Sequence, residues 1–545
     1  MGSEIFERPT SRRTLFKGAA AVGVLAAVPT LSACGGGGEN PNKQSSGPAS
    51  AEAGAKSANP NGTITAGLSY ELGTNGFDPM STTAALTLAA NWHTMEGLTE
   101  LDFADNSKPY AALGADLPKK IDDTHYEVTL RDGAKFHNGD PVTVDDVIFS
   151  FERVMDPANK SLYMQFISFL DKVTKKDDKT VAFALKFPFS LVAERLAVVK
   201  IVPKKLVEAD AKGFAANPVG TGPWKMTDNS AASKEVVFEK FADYTGKRPA
   251  KAQKMVWKVV PDASTRTNAI TSGSVQVIDS VPYLSIDTLK STAKVDSVQG
   301  FNLAFVMFNC GSAPMDNVKN RQGVLYSFDM DKVVSTAFLG NASKVTCFVP
   351  ENHPSYKKAK VVYSKDVDKA KALFKETGLT KVRMLVTNHD WLKPVTPILK
   401  ESLEAAGLQV EFTELTSANL YNTIDGKPEA YDIVVAPGDP SVFGGDADLL
   451  MRWWYAGDTW TESRMHWKGQ ESYQKVQELL DKARAATGDE QKKLWGETFD
   501  VISENVPLYP LFHRKVPTAY DEKTLVDFKP ISQTGFTFSN VGTTK

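Results

Sequence analysis

The chain has 545 residues, with 63 basic and 65 acidic side chains and a formal net charge of −2. This length exceeds what one hydrophobic core usually serves, so two or three domains are expected. The near-balanced charge argues against a nucleic-acid-binding protein, which would carry a concentrated basic surface. Beyond the N-terminal segment no run of about 20 apolar residues occurs, so the sequence predicts no membrane-spanning helix in the body of the chain.

The first 28 residues have the pattern of an export signal. Residues 11–17 read SRRTLFK, and a short apolar run follows over residues 18–28. Two adjacent arginines before such a run are typical of a twin-arginine signal. The run is shorter than the roughly 20 residues that a spanning helix needs. The sequence therefore predicts a protein carried out of the cytoplasm.

The signal ends in a tetrad, Leu-Ser-Ala-Cys over residues 31–34, that resembles the lipobox of bacterial lipoproteins. The resemblance implies that residues 1–34 are the signal and that Cys34 becomes a lipid-carrying N-terminus. Several acyl chains hold a protein at a membrane where one chain does not. Residues 35–60 contain no large apolar side chain and are interpreted as a flexible tether. The predicted location is the extracytoplasmic face of the bacterial cell membrane, with a lipid anchor.

The first part of the body alternates strands and helices. Residues 62–70 and 126–130 have strand-like spacing, and residues 84–93 are expected to be helical. A turn cluster at residues 138–141 comes before a second helix. Thr143 followed by Asp146 is the pattern of a capping box, which predicts that this helix begins there. The fold class predicted from these elements is α/β.

Residues 381–436 contain the clearest strand-helix-strand unit. Strands are predicted at 382–387, 408–415 and 431–436, with a helix at 394–406. A crossover of this size favours parallel strands, and ligands collect at the carboxyl ends of such strands. The rule indicates residues 388–391 and 437–443 as the place to look for a ligand site.

Four stretches resemble the family 5 extracellular solute-binding proteins, the peptide- and nickel-type receptors that feed ABC importers. They are residues 130–157, 217–226, 301–331 and 506–512. The resemblance extends over residues 61–545. It implies a periplasmic-binding-protein-like type II fold of the large three-domain kind (cluster C), which is a two-lobed clamp. The expected boundaries are 61–100, 215–300 and 505–545 for domain I, 101–214 for domain II, and 301–504 for domain III.

The same resemblance implies a ligand contact at Asp439. Peptide-binding relatives carry an aspartate after the strand that is here 431–436, and it pairs with the α-ammonium of the peptide. A charge-assisted hydrogen bond in a dry cleft suits that purpose. Asp439 is the best positional match, with Asp446 and Asp448 as substitutes. Pro437 and Gly438 stand where such proteins usually have a tryptophan.

Other candidate ligand residues lie at predicted strand ends or in an aromatic cluster. The aromatic side chains offer rigid contact area, but the alternative that Trp453 and Trp454 belong to the core of domain III remains open. Besides Asp439, the predicted ligand-binding residues are Tyr70, Trp391, Asn309, Phe443, Trp453 and Trp454.

The sequence predicts a receptor and not an enzyme. It contains no GxSxG, HExxH or CxxC motif, and its seven histidines include no helix-spaced pair. No catalytic residue, metal or cofactor is therefore expected. No GxxxxGK[ST] motif occurs either, so the permease and the ATPase that drives transport must be separate subunits. Cys310 and Cys347 are expected to be free and buried.

The predicted function is capture of a small solute by hinge closure and delivery to an ABC permease, by a monomer. A short peptide is the first choice of ligand. Oligosaccharides, glycosides and opine-like conjugates are alternatives, and nickel comes last. A secreted hydrolase or a chaperone-like surface lipoprotein is the alternative of another class, and ligand turnover would distinguish the hydrolase from a receptor.

Overall fold

The computed structural model describes residues 56–70, 76–82, 84–230 and 233–545. The predicted signal and Cys34 lie outside these residues, as does most of the tether. Residues Lys56–Lys545 form one compact unit. The boundaries between domains I, II and III remain a prediction.

The strands in chain order alternate with helices through most of the unit, as an α/β chain should. They are Thr63–Leu68 (β1), Thr99–Asp102 (β2), Lys108–Ala111 (β3), Lys119–Lys120 (β4), His125–Thr129 (β5), Leu170–Lys175 (β6), Thr180–Leu185 (β7), Trp224–Asp228 (β8), Glu235–Lys240 (β9), Lys254–Val259 (β10), Val277–Ile278 (β11), Lys294–Phe308 (β12), Ala342–Lys344 (β13), Lys381–Thr387 (β14), Gln409–Leu415 (β15), Ile433–Gly438 (β16), Leu508–Tyr520 (β17), Leu525–Val526 (β18) and Gly542–Thr543 (β19).

The helices are mostly short and cover the sheets. They are Ala85–Thr94 (α1), Val144–Met155 (α2), Val192–Leu196 (α3), Lys204–Ala209 (α4), Ala211–Ala216 (α5), Ala263–Thr271 (α6), Ile286–Leu289 (α7), Val318–Ser327 (α8), Met330–Lys332 (α9), Val367–Thr377 (α10), Thr396–Ala405 (α11), Ser417–Ile424 (α12), Ala447–Tyr455 (α13), Asp458–Thr461 (α14), Glu471–Ala485 (α15) and Gly488–Asn505 (α16).

One sheet of eleven strands runs through the molecule in the order β15-β14-β16-β12-β17-β11-β1-β10-β9-β8, with β13 paired to β17. Its two long strands, β12 and β17, pair antiparallel at the centre. They therefore lie between two groups of strands, β16-β14-β15 on one side and β11-β1-β10 on the other. Within the described residues, the strand order places these two long strands between the two groups, so they join them.

The local predictions for α2 and for the crossover at β14 are confirmed. Thr143 caps α2, and its partner Asp146 completes the capping box. Strands β14 and β15 pair in parallel with α11 between them, and Lys381 lies opposite Gln409. Both features depend on residues close together in the chain, which is why the pattern alone predicts them.

A second, four-stranded sheet has the order β4-β5-β7-β6 and packs against α2. Its apolar face belongs to the same buried cluster as β12 and β16. A smaller cluster lies around β1 and β10. Cys310 and Cys347 are free and buried, as predicted. Among the described residues, no helix combines the length and the hydropathy needed to cross a membrane.

Candidate functional site

The carboxyl ends of four strands point at the middle of β17. Strands β1 and β11 arrive from one side of the sheet and are followed by Tyr70 and Asp279. Strands β14 and β16 arrive from the other side and are followed by Trp391 and Asp439. In α/β sheets the carboxyl ends of strands are where ligands bind. We call this place the cleft.

Arg514 lies on β17 at the centre of the cleft. Its side chain is only 2% exposed, and its guanidinium lies over the ring of Trp391 at 4.3 Å from the ring centre. Within the part of the chain that the structure describes, no carboxylate pairs with it and its Nε has no hydrogen-bond partner. A buried charge without a hydrogen-bonded counter-charge is costly. The arrangement is therefore one that an incoming anion would stabilise.

The neighbours of Arg514 respond to its charge. Burial, and after it the positive charge of Arg514, lowers the pKa of His389 to about 4, so this ring is neutral. The Nδ1 atom of His389 also has no hydrogen-bond partner among the described residues. Burial raises the pKa of Tyr70, while Arg514 opposes that rise. The hydroxyl of Tyr283 donates a hydrogen bond to the backbone oxygen of Lys515 at 3.2 Å. The ring of Tyr283 packs against that of Phe338.

Asp279 is a carboxylate of the cleft that already has partners. It accepts hydrogen bonds from the backbone N of Ser69 at 2.8 Å and from the Ser69 hydroxyl at 2.7 Å. Arg266 lies 3.8 Å from it. Asp279 therefore fixes the end of β1 next to Tyr70. Burial raises the pKa of Asp279, and the positive charges of Arg266 and, more weakly, Arg514 oppose that rise.

The predicted ammonium ligand, Asp439, is held by protein donors. Its Oδ2 accepts from the Thr534 backbone N at 2.8 Å, from the Thr534 hydroxyl at 3.0 Å and from Asn302 at 3.3 Å. Its Oδ1 accepts from Ser441. Burial raises its pKa above the ordinary value, although these hydrogen bonds oppose the shift. A ligand contact at Asp439 stays a prediction, and the observed contacts anchor the segment that contains Thr534.

An aromatic patch adjoins this segment. A Cβ atom on Gly535, whose φ is +115°, would lie 2.9 Å from the Cβ of Ala89 and 3.5 Å from the ring of Trp92. Glycine is required where the backbone approaches so closely at positive φ. Trp92 in turn packs on Phe103 with ring centres 4.6 Å apart. The segment at residues 534–535 thus links the Arg514 side of the cleft to the aromatic patch.

Phe443 belongs to this aromatic patch. Its ring lies 5.0 Å from that of Tyr163 and 5.2 Å from that of Trp453. The patch borders a cavity of about 30 Å³, which has room for water only. The buried ion pair between Lys200 and Glu100, at 2.5 Å, also lines that cavity.

The remaining predicted residues are placed elsewhere. Trp454 is fully buried and packs on Phe305 and Phe348, which makes it part of the core. Asn309 is also buried, and its amide donates to the backbone oxygens of Pro428 and Tyr431. Because β12 and β16 are antiparallel, we place Asn309 about 20 Å along the sheet from Asp439, from the usual rise per strand residue. Asn309 therefore lies away from the cleft, whereas the ring of Trp454 lies against Gly438, the residue before Asp439, and supports the cleft from the core side.

The sequence reasoning missed Arg514 and Tyr283, whereas His389 lies inside the predicted segment 388–391 although it was not singled out. One signal for Arg514 was available, since it is a charged residue inside the apolar strand β17. A charge in such a strand needs a partner. The partner could not be inferred, because the residues around Arg514 come from distant parts of the chain.

The family model of the bacterial extracellular solute-binding proteins, family 5 Middle, matches residues 108–492. The chain belongs to this family. Its members are transport receptors and not enzymes, so the prediction that the chain is not an enzyme is confirmed, and it is an extracytoplasmic substrate-binding receptor of the ABC importer type.

Individual relatives agree with the fold. The glutathione-binding protein GsiB of Salmonella typhi is 25% identical over 477 residues, covering 85% of this chain and 91% of that protein. The structure of AgaA from A. tumefaciens R10 in complex with agropinic acid has a TM-score of 0.76 and 26% identity, covering 88% of this chain and 96% of AgaA. Helicobacter pylori DppA in complex with the peptide STSA has a TM-score of 0.78 at 21% identity, over 89% and 98% of the two chains. The predicted type II periplasmic-binding-protein fold is confirmed.

Proposed function

We propose that this receptor captures small solutes that carry a carboxylate, with short peptides as the leading class, and delivers them to an ABC permease. The single observation that carries the proposal is Arg514. It is buried in the cleft, lies on Trp391 and has no carboxylate partner among the described residues.

A ligand carboxylate would complete this site. A guanidinium presents paired N–H donors that match the two oxygens of a carboxylate, and charge-assisted pairs are stronger than neutral hydrogen bonds. The C-terminus of a short peptide supplies such a group. Its backbone would lie along the segment at residues 534–535, between Tyr70 and Asp439.

The proposed transport cycle is a hinge closure, which the fold family supports. The strands β12 and β17 join the two groups of strands, so closure about them would enclose the ligand, and reopening at the permease would release it. The permease and its ATPase are separate subunits, and the receptor acts as a monomer. Cys34 carries the lipid anchor that keeps it at the extracytoplasmic face of the membrane.

Opine-like conjugates are the second candidate ligands. The similarity to AgaA, whose structure contains agropinic acid, favours them. They too are acids, so they use the same arginine. Neutral oligosaccharides fit less well, because they would leave the Arg514 charge uncompensated in a closed cleft.

Native mass spectrometry of gently purified protein, followed by a thermal-shift panel of dipeptides, tripeptides and opine-like acids, tests the proposal. Every ligand that binds should carry a carboxylate. Arg514→Gln should abolish the shifts, whereas the control Arg464→Gln should retain them. Arg464 is a suitable control because its guanidinium also stacks on a tryptophan, Trp460 at 4.3 Å, but pairs with Asp425. Binding of neutral sugars alone, or unchanged shifts in Arg514→Gln, would contradict the proposal.

A further inference from the structure

Asn302 is a buried amide of β12 that lies next to Arg514 in the cleft. Its side chain is 4% exposed. The next residue, Leu303, pairs with His513 of β17, so the antiparallel register places Asn302 opposite Arg514. Successive side chains of a strand point to opposite faces. Asn302 and Arg514 therefore share one face of the central strand pair, and it is the face on which Asn302 contacts Asp439 at 3.3 Å.

The orientation of this amide is fixed by its partners. The Nδ2 atom of Asn302 donates to the hydroxyl of Thr534 at 2.8 Å and to Oδ2 of Asp439 at 3.3 Å. The Thr534 hydroxyl has a single proton, which it donates to Asp439 at 3.0 Å, so it accepts from Asn302. The atom that faces these two groups is therefore the nitrogen, and the oxygen lies on the other side of the amide.

The oxygen of this amide is left without a donor. Oδ1 of Asn302 is buried and has no hydrogen-bond partner in the described part of the chain. A buried acceptor without a donor is costly. Nε of Arg514 is a buried donor that also lacks a partner there. Because directly opposite residues of antiparallel strands have Cβ atoms about 5 Å apart, the cleft presents an unpaired donor and an unpaired acceptor side by side.

The charges around the two atoms differ in sign. Burial raises the pKa of Tyr70, and the positive charge of Arg514 opposes that rise. Asp279 and Asp439 act on the same ring in the opposite sense to Arg514, so both signs of charge surround one space. The carboxylate next to Asn302 favours an N–H donor from a ligand over a second acceptor, and the guanidinium of Arg514 favours an acid.

We propose that Asn302 recognises the N–H group next to the ligand's carboxylate, so that the unit bound in the cleft is an N-substituted α-amino acid, –NH–CHR–COO⁻. The carboxylate contacts Arg514, and the N–H donates to Oδ1 of Asn302. One carbon separates the two ligand groups, which suits protein groups on directly opposed residues. This inference rests on the function proposed for the cleft and specifies the ligand class. The unit occurs at the C-terminus of peptides and in N-alkyl amino acids such as opine-like conjugates.

Ligand pairs that differ only at the N–H test this contact in wild-type protein. Alanyl-alanine contains the N–H, and alanyl-lactate has an ester oxygen in its place with the carboxylate unchanged. N-(carboxymethyl)alanine and the ether in which oxygen replaces its N–H make the same comparison for N-alkyl amino acids. In calorimetric titration the oxygen analogue should bind about tenfold more weakly, because one buried hydrogen bond is lost. The pair that shows the loss identifies the source of the unit, and loss in neither pair overturns the inference.

Asn302→Leu separates a ligand contact from a structural role. Leucine has a similar shape but lacks both Oδ1 and the donors to Asp439 and Thr534. The lost donors should weaken both members of a pair by one factor, whereas the preference for the N–H should disappear because no acceptor remains. Ser441→Ala is the matched control, since it removes another donor to Asp439 and leaves Asn302 intact. Persistence of the preference in Asn302→Leu, or its loss in Ser441→Ala, would overturn the inference.

The C-terminal amide of alanyl-alanine distinguishes this inference from the function on which it rests. If wild-type protein binds the amide as well as the acid, the carboxylate contact of Arg514 is wrong and the inference fails with it. If the protein prefers the acid but shows no loss with the ester or the ether, the contact of Asn302 alone is wrong.

Discussion

Two buried arginines of this receptor have opposite surroundings. Arg195 in α3 is fully buried, and its Nη2 contacts Asp446 at 2.5 Å and Asp448 at 2.9 Å. Arg514 in β17 is almost equally buried, but among the described residues no carboxylate forms an ion pair with it, although its charge acts on Asp279. The first charge is neutralised within the protein, whereas the second has no ion pair among the described residues. On the function proposed above, Arg195 serves the fold and Arg514 serves binding.

The surroundings of Arg195 support a structural role. Burial alone would raise the pKa of Asp448, but the charges of Arg452 and Arg195 hold this pKa below its ordinary value. Arg195 belongs to α3, and its two partners belong to the start of α13 more than 250 residues later. The network therefore holds distant segments together with or without ligand.

Replacing Arg195 by Gln should have the largest effect on stability. It leaves two carboxylates partly uncompensated, and breaking a buried ion pair from one side costs about 3–5 kcal/mol. Urea unfolding should show this loss in both the free and the liganded receptor. A loss below about 1 kcal/mol, the range of exposed ion pairs, would remove the structural role from Arg195 and weaken the contrast.

Replacing Arg514 by Gln should act on the liganded receptor alone. The free protein should keep its stability, because an uncompensated buried charge is removed. At a ligand concentration of 100 times the dissociation constant, the free energy of unfolding of the wild-type protein should rise by about 2.7 kcal/mol. That of the variant should not change at the same concentration. Unfolding with and without ligand measures both quantities. A large destabilisation of the free variant would mean that Arg514, too, serves the fold.

Replacing Asp439 by Asn should have a moderate effect. The change weakens the contacts to Thr534 and Asn302, and a disturbed buried polar group costs about 1–3 kcal/mol. Affinity for a peptide with a free N-terminal amine and for its N-acetylated form should fall by the same factor. The reason is that the substitution displaces Thr534 and does not remove a contact to the amine. A loss limited to the free-amine peptide would instead establish Asp439 as the ammonium contact.

The pH dependence of stability should show the smallest effect. Burial lowers the pKa of His137 to about 4, below its ordinary value of 6.5. The unfolded chain therefore binds a proton first as the pH falls from 6.5 towards 4, and the free energy of unfolding decreases in that window. Between pH 7 and 6 the loss should be below about 1 kcal/mol for this residue. In His137→Gln the free energy of unfolding should depend less on pH than in wild-type protein. His125→Gln, a change at an exposed position, should leave that dependence unchanged. Equal pH dependence in the two variants would contradict the prediction.

The sequence predicted those features that depend on residues close together in the chain, and it did not predict those that depend on distant segments. The capping box at Thr143 and the crossover from β14 to β15 involve neighbours in the chain, and both were predicted. Tyr70 and Trp391 were placed in the cleft by the rule for strand ends. Asn309 also ends a strand, but β12 runs antiparallel to β16, and strand pairing of this kind could not be known from the sequence. Arg514 was missed for the same reason, because its neighbours belong to distant segments.

The most direct test of the account compares one bound peptide with its C-terminal amide, on wild-type protein and on Arg514→Gln, by calorimetric titration. In wild-type protein the acid should bind about 2–5 kcal/mol more tightly than the amide, the range for removing one partner of a buried charge pair. In the variant that preference should disappear, because no guanidinium remains to recognise the acid. If acid and amide bind wild-type protein equally well, or if the variant keeps the preference, Arg514 is not the ligand's carboxylate site.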